Sequence, residues 1–280
     1  MTRSLSVGTR LFVLALFPLL ALLAPLLARE RPVEDSAMAR LATPVPFDPN
    51  ATNLDVRLRP PDREHLLGTD DLGRDVLARL LHGARVSVAV GLAAATLAFV
   101  LGTFLGGAAG TFGPRTDQAV LFVTGVVQAF PPLVLVVAGA ALVPPSAWTA
   151  ALLIAITGWP EVARLVRAEA RRLSVSPHVE AARAAGASRR RVLLVHVLPG
   201  AVAPAVATIP YVLGGAVLLE ASLSFLGLGA PPPTASWGRA LADARESLTS
   251  AWWCVGPPAA ALFLLVLSAR KLGEALSESR

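Results

Sequence analysis

Lysine occurs once in this chain, at Lys271, although lysine and arginine together number 25. A Walker-type phosphate loop needs Gly-Lys followed by Ser or Thr. Lys271 lies between Arg270 and Leu272, so the chain has no such cradle. If ATP drives it, another subunit binds the ATP. Cysteine also occurs once, at Cys254 in an apolar run. An internal disulfide and a cysteine-based metal cluster are excluded, and the thiol reads as a small core residue. Charged residues make up 16% of the chain, against about 25% in soluble domains. Aromatics are only 6%. The four histidines, His65, His82, His178 and His196, are scattered. There is no His-Glu-x-x-His, Cys-x-x-Cys or Gly-x-Ser-x-Gly. No histidine falls within an apolar span to serve a serine as base, which argues against an intramembrane hydrolase. His65, Asp70 and Asp71 can in principle hold an ion, but the pattern is weak and no metal site is assigned.

What remains is apolar. Hydrophobic residues reach 54%, mostly Ala, Leu and Val, and the mean hydropathy is +0.62. A membrane-spanning helix needs about 20 such residues. Six stretches qualify: Leu11–Leu27, Ser87–Ala109, Ala119–Val143, Ala147–Leu165, Ala201–Leu226 and Trp252–Leu272. The expected fold is an all-α membrane protein, a bundle of six transmembrane helices. Pro131-Pro132 in the third stretch, and Pro204 and Pro210 in the fifth, should bend their helices. No internal repeat is apparent.

Arginine placement sets the orientation, because short cytoplasmic loops concentrate it. Arg3, Arg10, Arg115, the arginines from Arg164 to Arg191, and Arg270, Lys271 and Arg280 all fall on one side. The short loops of the other side hold only Arg239 and Arg245. Both termini are therefore expected in the cytoplasm, in a multi-pass protein of the cell membrane. The segment between Arg29 and Arg85 is long, mixed in charge and expected outside. A rival reading takes Leu11–Leu27 as a cleaved signal peptide, with Arg3 and Arg10 before it and a small-residue end at Ala28. The chain divides into an N-terminal helix with its outer segment (1–84) and a membrane domain (85–275) carrying a cytoplasmic loop at 172–199.

Three local features stand out. Gly102, Gly106 and Gly110 recur every four residues, which lets two helix backbones approach closely. They serve packing within the chain or a subunit interface. Glu220 is the one carboxylate inside a span without an obvious exit, and such residues face a bundle interior or a water-filled path. It shares a helix face with Ser224, with Ser222 nearby. Glu220, Ser222 and Ser224 are candidate translocation-path residues, or Glu220 is a buried anchor between helices. The third feature is EAARAAGASRRRVLLVHVLP, from Glu180 to Pro199. Ser176-Pro177 starts a helix, Glu180 suits its first turn, and Ala181, Ala182, Ala184 and Ala185 extend it with little bulk. Gly186 can take the left-handed turn, Ser188 can cap a second helix, and Pro199 marks a boundary. A helix-turn-helix with basic residues also suggests DNA binding. That needs a soluble core, which about 35 residues between two spans lack, so no nucleic-acid partner is expected. A slim helix on the cytoplasmic face suits a groove on a partner protein.

This third feature resembles the EAA loop of bacterial ABC-importer permeases: Glu-Ala-Ala, three residues, Gly, nine residues, then Ile-x-Leu-Pro. Glu180, Ala181, Ala182, Gly186, Leu198 and Pro199 match at that spacing, and His196 replaces the isoleucine, as in the peptide-importer branch. HLLGTDDLGRDVLARLLHGARVSVAVG (His65–Gly91) and LLEASLSFLGLGAPPPTASWG (Leu218–Gly238) are similar to C-type permease subunits of dipeptide and oligopeptide importers. The C-terminal KLGEALSESR departs from the family's usual ending. The resemblance implies the type I ABC-importer permease fold and a coupling role for Glu180–Gly186 in an ATPase groove. It also implies a B-type permease partner, two ATPase subunits holding ATP and Mg, and an extracytoplasmic binding protein. The chain itself is then no enzyme and binds no cofactor. Its cargo is peptide, with nickel chelates or other small solutes as the alternative. In the outer block, Gly68 and Gly73 suit turns, Asp71 suits a helix cap, and Val76, Leu77, Leu80 and Leu81 form an apolar strip. Gly68, Asp70, Gly73, Arg74 and Asp75 are the candidate outer elbow, lying over the bundle or contacting the binding protein.

Overall fold

Asp75 starts the first long helix. In the computed structural model, which describes residues 47–278, its side chain accepts a 2.7 Å hydrogen bond from the Ala78 amide. The helix, α1, runs over Val76–Thr111. Asp71, the expected cap, lies upstream because Gly73, at φ 69°, keeps the chain turning until Asp75. The apolar strip from Val76 to Leu81 is thus the opening of α1, and the division drawn at residue 84 falls inside a continuous helix.

α1 ends at Thr111, and the chain turns at Gly113, whose φ is 103°. Pro114 then opens α2 (Pro114–Gln128), and Pro132 opens α3 (Pro132–Ala140). These two were expected as one stretch, Ala119–Val143. Pro131-Pro132 bends them by 83°, because Pro132 has no amide hydrogen to continue the helix. A reciprocal Ser146–Thr149 capping box starts α4 (Ala147–Ser174), and α5 spans Pro177–Ala184. The long α6 covers Arg189–Phe225, α7 covers Trp237–Asp243 and α8 covers Trp252–Glu278.

Among the described residues, α1, α4, α6 and α8 are long and apolar enough to cross a membrane, with the bent α2–α3 pair as a fifth if counted as one span. The expected Leu11–Leu27 span lies outside the described residues. α4 has 28 residues, or about 42 Å at 1.5 Å per residue. That exceeds a hydrocarbon core of about 30 Å.

Two irregularities mark α6. Val192–Val197 is wound as a π-helix, and the Leu198 amide donates to the Leu193 carbonyl five residues back. Pro199 explains it: proline has no hydrogen to donate to residue 195, and its ring would strike that carbonyl in a regular helix. Farther on, the backbone tightens to a 3-10 turn at Val206–Thr208, between Pro204 and Pro210.

The core is built around α1. Gly102, Gly106 and Gly110 meet Val162, Ala163 and Ala170 of α4; a Cβ on Gly106 would lie 2.4 Å from the Ala163 carbonyl oxygen. These glycines therefore serve packing inside the chain. Val90 and Ala94 of α1 pack with Val136 of α3, Ile154 of α4 and Leu223 of α6. Ala84 and Val88 pack with Val217 of α6, Trp237 of α7 and Leu262 of α8.

Candidate functional site

The arginine-rich end presents α5. Pro177 sits at its start, as expected, but the Ser176 side chain makes no cap; its hydroxyl donates back to the Leu173 carbonyl at 2.5 Å. Gly186 takes φ 85°, and the Ala187 amide donates to the Ala182 carbonyl at 3.0 Å. Ser188 then caps the start of α6, accepting from the Arg191 amide at 3.3 Å. Glu180, Ala181, Gly186 and Pro199 are exposed, while Ala182 and Leu198 are half-buried. One residue on this helix points the other way. Val179 is fully buried and packs with Val162, Val166 and Ala170 of α4 and with Val192 and Val197 of α6. Sequence reasoning passed over Val179. Its signal was an apolar side chain among polar and alanine neighbours. The arrangement is a slim exposed ridge fastened by one buried valine to two membrane helices. Beside it, Arg167 of α4 holds Asp117 of α2 through a 2.7 Å bond from Nη2.

The far end holds the block predicted as an elbow. Gly68 and Gly73 both have positive φ, and a Cβ on Gly73 would lie 1.7 Å from the Asn53 carbonyl oxygen. Asp70 accepts from Arg74 at 2.7 Å. Arg74 and the buried Arg79 both reach Asp243 of α7, at 2.9 and 3.1 Å, and Arg239 donates to the other Asp243 oxygen at 2.8 Å. Asp243 thus joins three guanidinium groups and ties the block to α7. Trp253 of α8 donates to the Thr69 carbonyl at 3.1 Å. His65 pairs with Asp75 at 2.9 Å. Burial pushes the Asp75 carboxyl up, against the lowering effect of the Ala78 amide and His65. His65 turns to Asp75 while Asp70 and Asp71 both face Arg74, Asp71 at 3.7 Å, and among the described residues the three do not converge on a metal site. Asp243 and Arg79 escaped sequence reasoning, although an arginine within the apolar strip of Val76–Leu81 signals a need for an acid.

Glu220 lies in the interior, 1% exposed, where Ser224 donates to it at 2.7 Å. The side chains of Ser87 on α1 and Ser236 at the α7 cap also approach its carboxyl. Ser222 turns elsewhere and donates to the Leu218 carbonyl. The structure therefore brings Glu220 and Ser224 together and leaves Ser222 on another face. The loop after α6 and the start of α7 are drawn tightly over this cluster: a Cβ on Gly229 would lie 2.0 Å from the Ser224 hydroxyl, and one on Gly238 would lie 2.3 Å from the Ala221 carbonyl. In front of the loop lies a cavity of about 660 Å³. Its walls come from α1, the start of α4, the segment Asp48–Asn50 and Pro233–Ala235 of the loop; Glu220 does not line it.

This placement separates two roles for Glu220. Glu220→Gln, which keeps an acceptor for Ser224, should match the parent protein in thermal stability. Glu220→Leu should lose about 1–3 kcal/mol, because the Ser224 hydroxyl is left without its partner, read as a lower melting temperature of the purified protein. Uptake lost in Glu220→Gln at unchanged stability would instead make the carboxylate charge part of the path.

The helices and their order define an all-α protein with several membrane-spanning helices. In a methionine ABC transporter, MetNI, in inward-facing form, a chain shares this fold with a TM-score of 0.58 over 72% of this chain and 95% of that one, at 18% identity. An amino acid ABC transporter structure gives 0.55 over 73% and 95%, at 17% identity. Residues 89–277 match the family model for binding-protein-dependent transport system inner membrane components, and the chain belongs to that family. Among its relatives is a putative peptide transport system permease protein of Brucella suis, 40% identical over 82% of this chain and 77% of that one. Others are the dipeptide permease of Alkalihalophilus pseudofirmus, 36% identical, and the oligopeptide permease of Bacillus subtilis, 32% identical, each over 96% of this chain and 83% of its own length.

Proposed function

We propose that this chain is the C-type permease subunit of an ATP-driven peptide importer, forming the translocation path with a homologous B-type permease. The observation that carries the reading is the α5 ridge: exposed on its Glu180–Gly186 side, fastened by Val179 to α4 and α6. A partner that moves this ridge moves two membrane helices with it. ATP binding by two separate ATPase subunits supplies that movement, since only a ligand with unequal affinity for two states can shift them. ATP and Mg are held there, and this chain performs no catalysis of its own. The concentration of arginine between Arg164 and Arg191 supports a cytoplasmic location for the ridge, with both termini on that side. The opposite face then receives cargo from an extracytoplasmic binding protein. The names of the three relatives above support a peptide cargo; none of those three is a nickel permease.

The test is reconstitution of the chain with its B-type partner, both ATPases and the binding protein into proteoliposomes. ATP-dependent accumulation of a labelled dipeptide is expected, falling to background without the ATPases or the binding protein. Accumulation of a nickel chelate in place of any peptide would overturn the cargo, and accumulation without ATP would overturn the mechanism.

A further inference from the structure

The cavity at the far end is walled mainly by small apolar side chains, Val86, Ala89, Val90 and Ala93 of α1 among them. Two charged residues of opposite sign also line it: Asp48, from the segment before α1, and Arg85, on α1. Trp148, 73% exposed, stands on the α4 side. Its volume of about 660 Å³ falls in the range of about 300–1,000 Å³ usual for small-molecule sites. An apolar trough with one acid and one base suits a ligand that carries an ammonium group, a carboxylate and apolar side chains. A free short peptide has all three.

We infer that this cavity is a binding vestibule for a zwitterionic short peptide, with Asp48 reading the ammonium end and Arg85 the carboxylate end. The inference rests on the import reading and adds a site within this chain. Asp48 is half-buried and already accepts a 2.7 Å bond from the Asn50 amide, which fixes the carboxylate in place before a ligand arrives. A fixed acceptor loses less freedom on binding than a mobile one. The opposite wall is equally constrained. Pro233, Thr234 and Ala235 line the cavity, and the next residue, Ser236, approaches the Glu220 carboxyl and caps α7 through the Arg239 amide at 3.2 Å. Glu220 is therefore a positioning residue, holding the wall from behind without touching the ligand. A phospholipid headgroup also carries paired charges. It differs from a peptide in carrying a phosphodiester in place of a carboxylate and in being supplied by the bilayer, and the test uses that difference.

The experiment uses the assembled importer in lipid nanodiscs, without binding protein and without ATP. Thr234→Cys is the reporter, in a chain whose other thiol, Cys254, is buried. Asn50→Cys, on the facing wall, repeats the measurement if Thr234→Cys accumulates poorly. The rate of labelling by a membrane-impermeant maleimide is followed against the concentration of alanyl-alanine, its N-acetyl derivative and its C-terminal amide. The free dipeptide is expected to protect, with each blocked form about tenfold weaker, the size of one lost charge-assisted bond. Asp48→Asn should erase the penalty for acetylation and keep that for amidation; Arg85→Gln should do the reverse. Glu220→Leu should raise the labelling rate without ligand and weaken protection by all three forms alike.

No protection by any form, or equal protection by all three in the parent chain, overturns the inference. So does a loss of both discriminations together in Asp48→Asn, which would mean collapse of the site and not recognition of one end. Protection that follows the phosphatidylethanolamine content of the nanodisc, and not the peptide, assigns the cavity to lipid and also overturns it. ATP-driven dipeptide uptake in the same preparation keeps the two readings apart. Uptake without protection defeats the vestibule alone, whereas absence of uptake defeats the import reading.

Discussion

Gly106→Leu is expected to leave almost no folded protein in the membrane. A Cβ at this position would lie 2.4 Å from the Ala163 carbonyl oxygen and 3.0 Å from its Cα. Both are backbone atoms of α4, so no flexible side chain can swing aside. The two helices would have to separate along their whole contact. Gly102 and Gly110 make similarly close approaches, the first 2.6 Å from the Val162 Cβ and the second 2.7 Å from the Ala170 Cβ, so the seam would open at all three. Overpacking of a flexible core costs about 1–3 kcal/mol. Against fixed backbone the cost is on the order of 4 kcal/mol or more, the range in which single changes unfold proteins. Immunoblots of washed membranes and fluorescence size-exclusion profiles read the result. Gly125→Leu is the control: no atom lies within 4 Å of a Cβ there, and accumulation should match the parent. Equal amounts of monodisperse Gly106→Leu protein would show that α1 and α4 do not meet along this seam.

Gly186→Leu should give the opposite pattern, with normal accumulation and uptake reduced more than tenfold. The residue sits at φ 85° with nothing within 4 Å of its Cβ. Strain is then the only local cost, about 1–2 kcal/mol for a left-handed residue, and Val179 still fastens α5 to its neighbours. The surface changes, however. An isobutyl group would stand on a ridge otherwise made of alanines with Glu180 and Arg183, where a partner's groove has to close. Steric exclusion of a docking helix shows as uncoupling: ATP hydrolysis by the assembled complex continues while dipeptide uptake stops. Gly113→Leu separates strain from docking, because Gly113 has φ 103° and equally open space but lies outside the EAA loop. Wild-type uptake in Gly186→Leu would remove the coupling role assigned to this loop.

How far the sequence spoke depended on whether a feature was local. Asp75, Gly186 and Ser188 act on neighbouring backbone amides or on their own dihedrals, so residue type and spacing announce such features, even though the cap fell at Asp75 and not at Asp71. Hydropathy located the apolar spans, but it averages over a window and could not register an 83° bend inside one. The Pro131-Pro132 pair gave that away. Partnerships across the chain were opaque. Nothing near Asp243 marks it as the acid for Arg74 and Arg79, which lie 169 and 164 residues away in sequence. Glu220 shows a mixed case. Its cost of burial and its four-residue spacing to Ser224 were readable, but its position behind the cavity wall depends on Ser87 and Ser236, from other elements.

The wide turn at Val192–Val197 has a consequence for any reasoning based on periodicity. A π segment accommodates one residue more than an α-helix over the same length, and one residue of α-helix corresponds to about 100° of rotation. Positions before and after the turn are therefore out of phase by roughly that angle. A helical wheel drawn straight through Arg189–Phe225 would place together residues that point in different directions. Because Pro199 has no hydrogen to give, the offset is locked into the chain and cannot be wound out. The direction in which Glu220 points, relative to the start of α6 at Arg189, thus depends on a proline 21 residues before it, with the tighter turn at Val206–Thr208 adding an offset of its own.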